Sequence, residues 1–194
     1  MTLRKRVLII VSATTVGLIT VLYAISHFVI IDSFADLERE KIQQNVRRVE
    51  NALSEAILAL DLTTFDWAAW DDTYAFAEDG NSVFIESNLL DAALDSTGLR
   101  LNVIMFTDAT DRIVYAKGFD LQNSLEVSVP AGLKEHLSRK GLLNHPETVS
   151  KVRGVVMLPA GPMLIASRPN LTSEEEGPIR GALIMGRYLG PGEI

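Results

Sequence analysis

The chain has no cysteine among its 194 residues. Disulfide bonds, thiolate metal sites and cysteine nucleophiles are therefore excluded, and the folded part must be held together by packing alone. Histidine is almost as scarce: only three are present, and none has the His-x-x-x-His or Glu-x-x-His spacing of a metal site on a helix. The sequence therefore predicts neither a metal site nor a cofactor.

Recognisable catalytic motifs are missing as well. The sequence contains no Gly-x-Ser-x-Gly elbow, no Walker phosphate loop and no Rossmann glycine run. We therefore expect no enzymatic activity in this chain.

Charged side chains are absent from twenty-five consecutive residues, Val7–Ile31, which directly follow Arg4-Lys5-Arg6. At about 1.5 Å per helical residue, this run exceeds the roughly 30 Å hydrocarbon layer of a membrane. Because basic residues beside a span are retained in the cytoplasm, we expect residues 1–6 inside, residues 7–31 in the membrane, and residues 32–194 in the periplasm or extracellular space. A cleaved signal peptide has a shorter apolar core and a small-residue cleavage site, so the sequence favours an uncleaved anchor.

Acidic residues are absent from the first 31 positions, so charge is divided unevenly along the chain. Residues 32–194 hold all 25 acidic residues and 15 of the 18 basic ones, which gives this part a net charge of −10. Such an acidic surface argues against nucleic acid or an anionic lipid surface as a partner. The length of this part suits one domain with its own core.

Glycine and proline are both absent from residues 32–61, and the composition there favours a helix. Apolar residues recur within it at steps of three and four, which predicts an apolar stripe. The members of the stripe are Val46, Val49, Leu53, Ile57 and Leu60. This helix can pack on its own domain or pair with a second copy, and we expect the membrane-proximal part to form a homodimer contact.

The rest of the chain predicts an α+β fold with a five-stranded antiparallel sheet and helices packed on one face. A helix is expected over Phe65–Ala77, after a weak break at Thr63-Thr64, and it closes at the turn Asp79-Gly80-Asn81. A loop follows from Ser87-Asn88 to Thr97-Gly98. The expected strands are Leu101–Phe106, Arg112–Lys117, Val155–Leu158, Met163–Ser167 and Gly181–Leu189, with a short helix over Pro130–Lys140.

One segment, Asp66–Phe76, holds both tryptophans and three carboxylates. On an unbroken helix, Asp66, Trp70 and Tyr74 share one stripe. Two interpretations remain open. The aromatic rings can cover the sheet while the aspartates bond to loop amides, or the segment can form a pocket wall for an amine or another cationic ligand. A calcium site on the Asp71-Asp72 pair is a weaker alternative, because adjacent helical residues point about 100° apart.

Two late arginines, Arg168 and Arg187, also have two possible roles. A guanidinium on the helix-covered side of the sheet can bind a ligand carboxylate through a bidentate fork. Alternatively, each can form an ordinary salt bridge with one of the acidic residues, and the sequence favours this second role.

Four blocks follow one another at characteristic spacing. They are Asp66–Phe76, Ser87–Leu89, Arg112–Asp120 and Gly181–Leu189. With these blocks the chain resembles the CHASE4 family of extracytoplasmic sensory domains, from about Leu37 to the last residue. The resemblance implies a PAS-like or Cache-like ectodomain between two membrane helices, which signals to a cytoplasmic module such as a histidine kinase or diguanylate cyclase. No second apolar run follows Leu189, so we expect this chain to be the N-terminal portion of a longer receptor.

These observations predict the ligand-sensing ectodomain of a homodimeric receptor in the cytoplasmic (inner) membrane, with a small molecule of unknown identity as its ligand. The ligand would shift helix 32–61 between two arrangements and so reach the inner side. The alternative function is a bitopic structural anchor whose ectodomain binds an envelope protein. The predicted pocket or trigger residues are Trp67, Trp70, Asp71, Asp72, Tyr74, Asn88 and Arg187.

Overall fold

The structure is a computed structural model that describes residues 3–95, 99–137 and 141–190, with the side chains of residues 28–37 and 92 outside the description. The helices are α1 Leu3–Ala68, α2 Asp71–Asp79, α3 Ser82–Asn88 and α4 Asp91–Leu94, and a 3-10 helix covers Leu133–His136. The strands are β1 Val103–Thr107, β2 Ile113–Asp120, β3 Leu125–Val127, β4 Val152–Leu158, β5 Gly161–Pro169 and β6 Ala182–Tyr188. The chain divides into two compact units, with the boundary after Glu50.

The first unit is helical and begins with an apolar stretch. Leu3–His27 has a mean hydropathy of 2.3 and is long enough to cross a membrane, by length and composition. The hydroxyls of Thr14, Thr15 and Thr20 donate to carbonyls three or four residues earlier, so these polar groups are satisfied inside the helix, as a lipid environment requires. The side chains of residues 28–31, the last four of the predicted span 7–31, are not described.

The second unit contains one antiparallel sheet in the order β3-β2-β1-β6-β5-β4. The α+β class is confirmed, but the predicted number of five strands is wrong. The additional strand is β3, which has three residues that are all exposed. Apolar and polar residues do alternate in β3, but the strand has only three residues and buries none of them, so the pattern is too short to predict a strand.

The two faces of the sheet have different coverings, since successive side chains of each strand alternate between them. On one face, Ile104 and Phe106 of β1 form a cluster with Leu60 of α1 and with Phe76 and Phe84 of the next two helices. On the opposite face, a second cluster joins the strands to the connection between β3 and β4. Its buried members are Val103, Met105, Leu133, Leu142, Leu158, Met163, Ile165 and Ile184.

The predicted stripe of α1 has two environments. In the second unit, Leu53 and Ile57 pack against the helix-side cluster and Leu60 belongs to it. In the first unit, Val46 and Val49 are about half exposed, at 51% and 48%. The stripe therefore supplies the core of the domain along one part only.

The position of the break between the first two helices corrects the sequence prediction. The chain does not break at Thr63-Thr64, because both hydroxyls donate to carbonyls four residues earlier, at 3.0 and 2.7 Å, inside α1. The break occurs instead at Ala69, which forms a bridge with Leu171, and at Trp70, which is extended. A tertiary contact thus decides where the helix ends.

Two further predicted elements differ from the structure. The helix predicted over Pro130–Lys140 is reduced to the 3-10 helix, because Gly132 has a φ of +82°, which a right-handed helix cannot continue through. Residues 138–140 of that prediction lie outside the described residues. The predicted loop from Ser87 is helical as far as Asn88 and contains α4, and its residues 96–98 also lie outside the described residues.

Candidate functional site

Most of the predicted site residues lie near the junction between α1 and α2. The expected stripe of Asp66, Trp70 and Tyr74 is wrong, because Trp70 has φ −133° and ψ 132° and α2 starts afresh at Asp71. Asp66 is exposed. The unbroken helical face on which the carboxylate and two aromatic rings would align is therefore absent from this segment.

Both tryptophans belong to an aromatic stack above the sheet. The rings of Trp67 and Trp70 meet edge to face at 6.4 Å, and Trp70 lies 6.0 Å from Phe84. Phe84 in turn stacks on Phe76 at 4.5 Å, and Phe76 meets Phe106 of β1 at 5.1 Å. Such pairs each contribute about 0.5–1.5 kcal/mol beyond their buried area. These contacts support the interpretation in which the aromatic rings cover the sheet.

Asp71 and Tyr74 attach α2 to the segment 171–180, which connects β5 to β6. Ser173 N donates to Asp71 Oδ1 at 3.0 Å, and Asp71 N donates to Ser173 Oγ at 3.1 Å. The hydroxyl of Tyr74 donates to the Pro178 carbonyl at 2.9 Å, while the Arg180 guanidinium lies over the tyrosine ring at 4.0 Å. One backbone bond completes the attachment, from Leu171 N to the Ala68 carbonyl at 2.9 Å.

Asp72 and Asn88 lie together at a small cleft between α2 and α3, with a volume of about 190 Å³. The Asp72 side chain is exposed, whereas the Asn88 amide donates to the Phe84 carbonyl of its own helix at 3.2 Å. No group of three histidine or acidic side chains among the described residues is arranged to hold a metal ion. In that part of the chain, Asp71 and Asp72 therefore have no third acidic or histidine side chain with which to bind calcium.

Arg187 lies in a different cleft, of about 540 Å³, together with Arg100, Asn102, Asp120 and Tyr188. Arg187 pairs with Leu164, which belongs to the helix-side cluster, so it lies on the helix-covered face of the sheet. Burial raises the pKa of Tyr188 in this cleft. The structure therefore does not group Arg187 with the tryptophan and aspartate residues.

A buried ion pair holds the C-terminal part of α1 to the sheet, and the sequence prediction missed its acidic member. Arg168 of β5 grips Asp61 through two bonds, from Nε to Oδ1 at 2.6 Å and from Nη2 to Oδ2 at 2.8 Å. Arg153 of β4 adds a third bond to Oδ2 at 2.6 Å. The salt-bridge interpretation of Arg168 is confirmed. The available signal was the position of Asp61 beside the apolar stripe, one residue after Leu60.

Lys117 is a second buried charge that sequence reasoning passed over. Its ammonium group lies 2.6 Å from Asp91 and 3.5 Å from Glu126, and it donates to the Leu89 carbonyl at 3.0 Å. Burial is the largest single effect on the pKa of this lysine and lowers it, but the hydrogen bond to Asp91 and the charges of Tyr115, Asp91 and Glu126 together outweigh burial, so the pKa is raised. The only signal in the sequence was its spacing: Lys117 lies two residues from both Tyr115 and Phe119, so on a strand it shares their face.

Comparisons with known proteins agree with this architecture. The sequence model of the CHASE4 domain matches residues 52–194, about three quarters of the chain. The match begins later than the expected Leu37 and includes the α1–α2 junction and the whole sheet. A search of curated proteins found no match. The chain belongs to the CHASE4 family of sensory domains.

Proposed function

We propose that this chain is the extracytoplasmic ligand-sensing part of a receptor in the cytoplasmic membrane. Residues 7–31 would span the membrane and residues 32–194 would lie outside. The observation that carries the proposal is that α1 contains the apolar stretch Leu3–His27 and also ends inside the sensory domain. The antiparallel sheet with helices on one face supports a PAS-like or Cache-like domain.

The end of α1 provides the mechanical link in this proposal. Asp61 bonds to two arginines of the sheet, and the Ala68 carbonyl bonds to Leu171. A ligand that favours one position of segment 171–180 would change the position of the end of α1, which continues toward the membrane. Such a population shift requires only a few kcal/mol of difference in ligand affinity between the two arrangements.

The same helix supports the proposal that two copies pair. Ile42, Val46 and Val49 are exposed and follow steps of four and three, the spacing of a coiled-coil seam. We propose that a second copy of the chain covers this seam, because two copies anchored in the same membrane would hold their seams parallel and close together.

Single cysteines test the pairing directly, since the chain has none of its own. In membranes, Val46→Cys and Val49→Cys are expected to form disulfide-linked dimers, because both positions lie on the seam. Arg48→Cys is the matched control on another face of the same turn. Equal cross-linking at all three positions, or none at any, would contradict the proposed seam.

Signalling is tested by joining the chain to a cytoplasmic kinase module and measuring its output. Asp71→Ala and Tyr74→Phe each remove a bond between α2 and segment 171–180, so we expect altered basal output. Asp72→Ala and Trp70→Ala test two of the other predicted trigger residues, and Glu86→Ala, an exposed change on α3, is the control. If every variant kept the wild-type output, the result would favour a structural anchor that binds an envelope protein.

A further inference from the structure

The small cleft between α2 and α3 gathers side chains from both helices, and we call it the α2–α3 cleft. Asp72 and Ala75 of α2 line one side of it, and Val83, Ser87 and Asn88 of α3 line the other. Its volume is about 190 Å³. Clefts that hold drug-sized ligands measure about 300–1,000 Å³, so an occupant of this cleft must be smaller than a drug molecule.

The Asp72 carboxylate gives the α2–α3 cleft its charge. It is the only charged group among the described residues of the wall, and it is exposed. Residues 71–95, which contain α2, α3 and α4, hold seven acidic residues and no lysine or arginine. The Asp72 side chain has no ion pair or hydrogen bond within residues 3–95, 99–137 and 141–190. The cleft therefore offers a negative charge to a cation from solution.

Two further polar groups of the wall can accept hydrogen bonds. Asn88 donates from Nδ2 to the Phe84 carbonyl at 3.2 Å, so its Oδ1 remains as an acceptor. Ser87 is exposed, and its hydroxyl oxygen can also accept. Asn81 lines the cleft too, but its side chain already bonds to Asp79 and to Phe84 N, both at 2.8 Å. One carboxylate and two acceptors favour an occupant that is positively charged and donates hydrogen bonds.

The apolar part of the wall favours an organic cation over a metal ion. Val83 lines the cleft and is 69% exposed, so a short hydrocarbon chain could cover it. Calcium takes about six to eight oxygen ligands, usually with several carboxylates among them. The described residues of the wall supply only the carboxylate of Asp72. A primary ammonium group with a short alkyl chain matches both parts of this wall.

Aromatic contacts connect the α2–α3 cleft to the end of α1. Phe84 lines the cleft, and its ring lies 6.0 Å from that of Trp70. Trp70 in turn meets Trp67 of α1 at 6.4 Å. An occupant that draws α2 and α3 together would therefore act on the junction between α1 and α2. Because these are the two tryptophans of the chain, their fluorescence reports on this junction.

We propose that the α2–α3 cleft is the ligand site of the sensor and binds a small protonated primary amine. The ammonium group would donate to the Asp72 carboxylate and to Asn88 Oδ1, and the hydrocarbon part would lie against Val83. The proposal rests on the proposed sensing function and adds a site and a ligand class to it. It also gives a common role to Asp72 and Asn88, two of the predicted site residues.

The first test measures tryptophan fluorescence of the full chain in dodecylmaltoside micelles. Propylamine is the probe, propan-1-ol is a neutral control of the same length, and tetramethylammonium is a cation without an N–H group. At constant ionic strength, we expect only propylamine to change the fluorescence saturably and to raise the unfolding temperature, because binding to the folded state stabilises it. No saturable effect of propylamine, or an equal effect of either control, would overturn the proposal.

Two substitutions separate the cleft from its acidic surroundings. Asp72→Asn removes an exposed carboxylate, so we expect the variant to fold and its affinity for propylamine to fall about tenfold or more. Glu86→Gln removes an equal charge at an exposed position of α3 that does not line the cleft, so its affinity should stay within about twofold of the wild type. An equal loss in both variants would mean that the acidic surface alone attracts the amine, and the site would be wrong.

The outcomes also distinguish this site from the sensing function. If propylamine binds but leaves the output of the kinase fusion unchanged, the site stands and the sensing function fails. If propylamine does not bind while Asp71→Ala still alters that output, the sensing function stands and the site is wrong.

Discussion

Removing the carboxylate of Asp61 should destabilise the sensory domain more than any single exposed charge change. The Asp61 side chain is 1% exposed and the Arg168 side chain is 10% exposed, so Asp61→Ala leaves a guanidinium buried without its partner. Breaking a buried pair in this way costs about 3–5 kcal/mol. Arg153 is 33% exposed, so water would replace its bond and Arg153→Ala should cost no more than about 1 kcal/mol.

Thermal unfolding of the full chain, followed by circular dichroism of the sheet, measures the difference. We expect Asp61→Ala to lower the unfolding temperature by about 10 °C and Arg153→Ala to lower it by about 3 °C or less. The double variant Asp61→Leu/Arg168→Met removes both charges and should recover more than half of the loss. If Asp61→Ala unfolded within about 1 °C of the wild type, the ion pair would not hold α1 to the sheet.

Three further predictions follow from contacts elsewhere in the domain. Burial lowers the pKa of His145 in the folded state from 6.5 to about 4, so its contribution to the free energy of unfolding is present above pH 6.5 and is lost as the pH falls toward 4. Allowing for solvent access, we expect denaturant titrations to show a loss of about 2 kcal/mol over this range, and His145→Gln should abolish this pH dependence. Gly181→Ala should prevent folding or lower the free energy of unfolding by more than about 2 kcal/mol, because its φ is +81° and the Thr107 carbonyl oxygen blocks the Cβ. The Cβ of Gly190→Ala meets open space, so this control should be neutral in the same titration. Trp70→Ala should cost about 2 kcal/mol and abolish the near-ultraviolet signal of the tryptophan pair; an unchanged signal would contradict the edge-to-face contact.

Local patterns were sufficient to predict most of the sheet. Leu101–Phe106 and Arg112–Lys117 were expected as a hairpin because an apolar run and its partner flank the turn 107–111, and β1 and β2 pair in this way. The turn is set locally, since Asp108 accepts hydrogen bonds from Thr110 and Arg112. Burial would raise the pKa of Asp108, but these bonds outweigh it and hold the pKa well below its usual range.

The features that sequence reasoning missed depend on contacts between distant residues. Nothing in the local composition distinguishes Ala69 as a helix end, because its bridging partner Leu171 is 102 positions away. The pairing of Asp61 with Arg168 spans 107 positions, and one sequence offers 25 acidic candidates for each arginine. The hydrogen bond between His145 and Ser167 is likewise invisible in the local composition, because 22 positions separate the two residues.

The strand order has a consequence for how the domain folds as the chain is made. β1 is flanked by β2, which follows it closely, and by β6, whose Gly186 lies opposite Val103. One side of β1 therefore stays unpaired until nearly the whole domain has been synthesised, and a bare strand edge is a template for aggregation. Closing so long a loop is slow, so the late arrival of β6 should set the folding time of the domain. A chain that stops before Ala182 would leave the apolar centre of the sheet exposed, and cellular quality control would act on it.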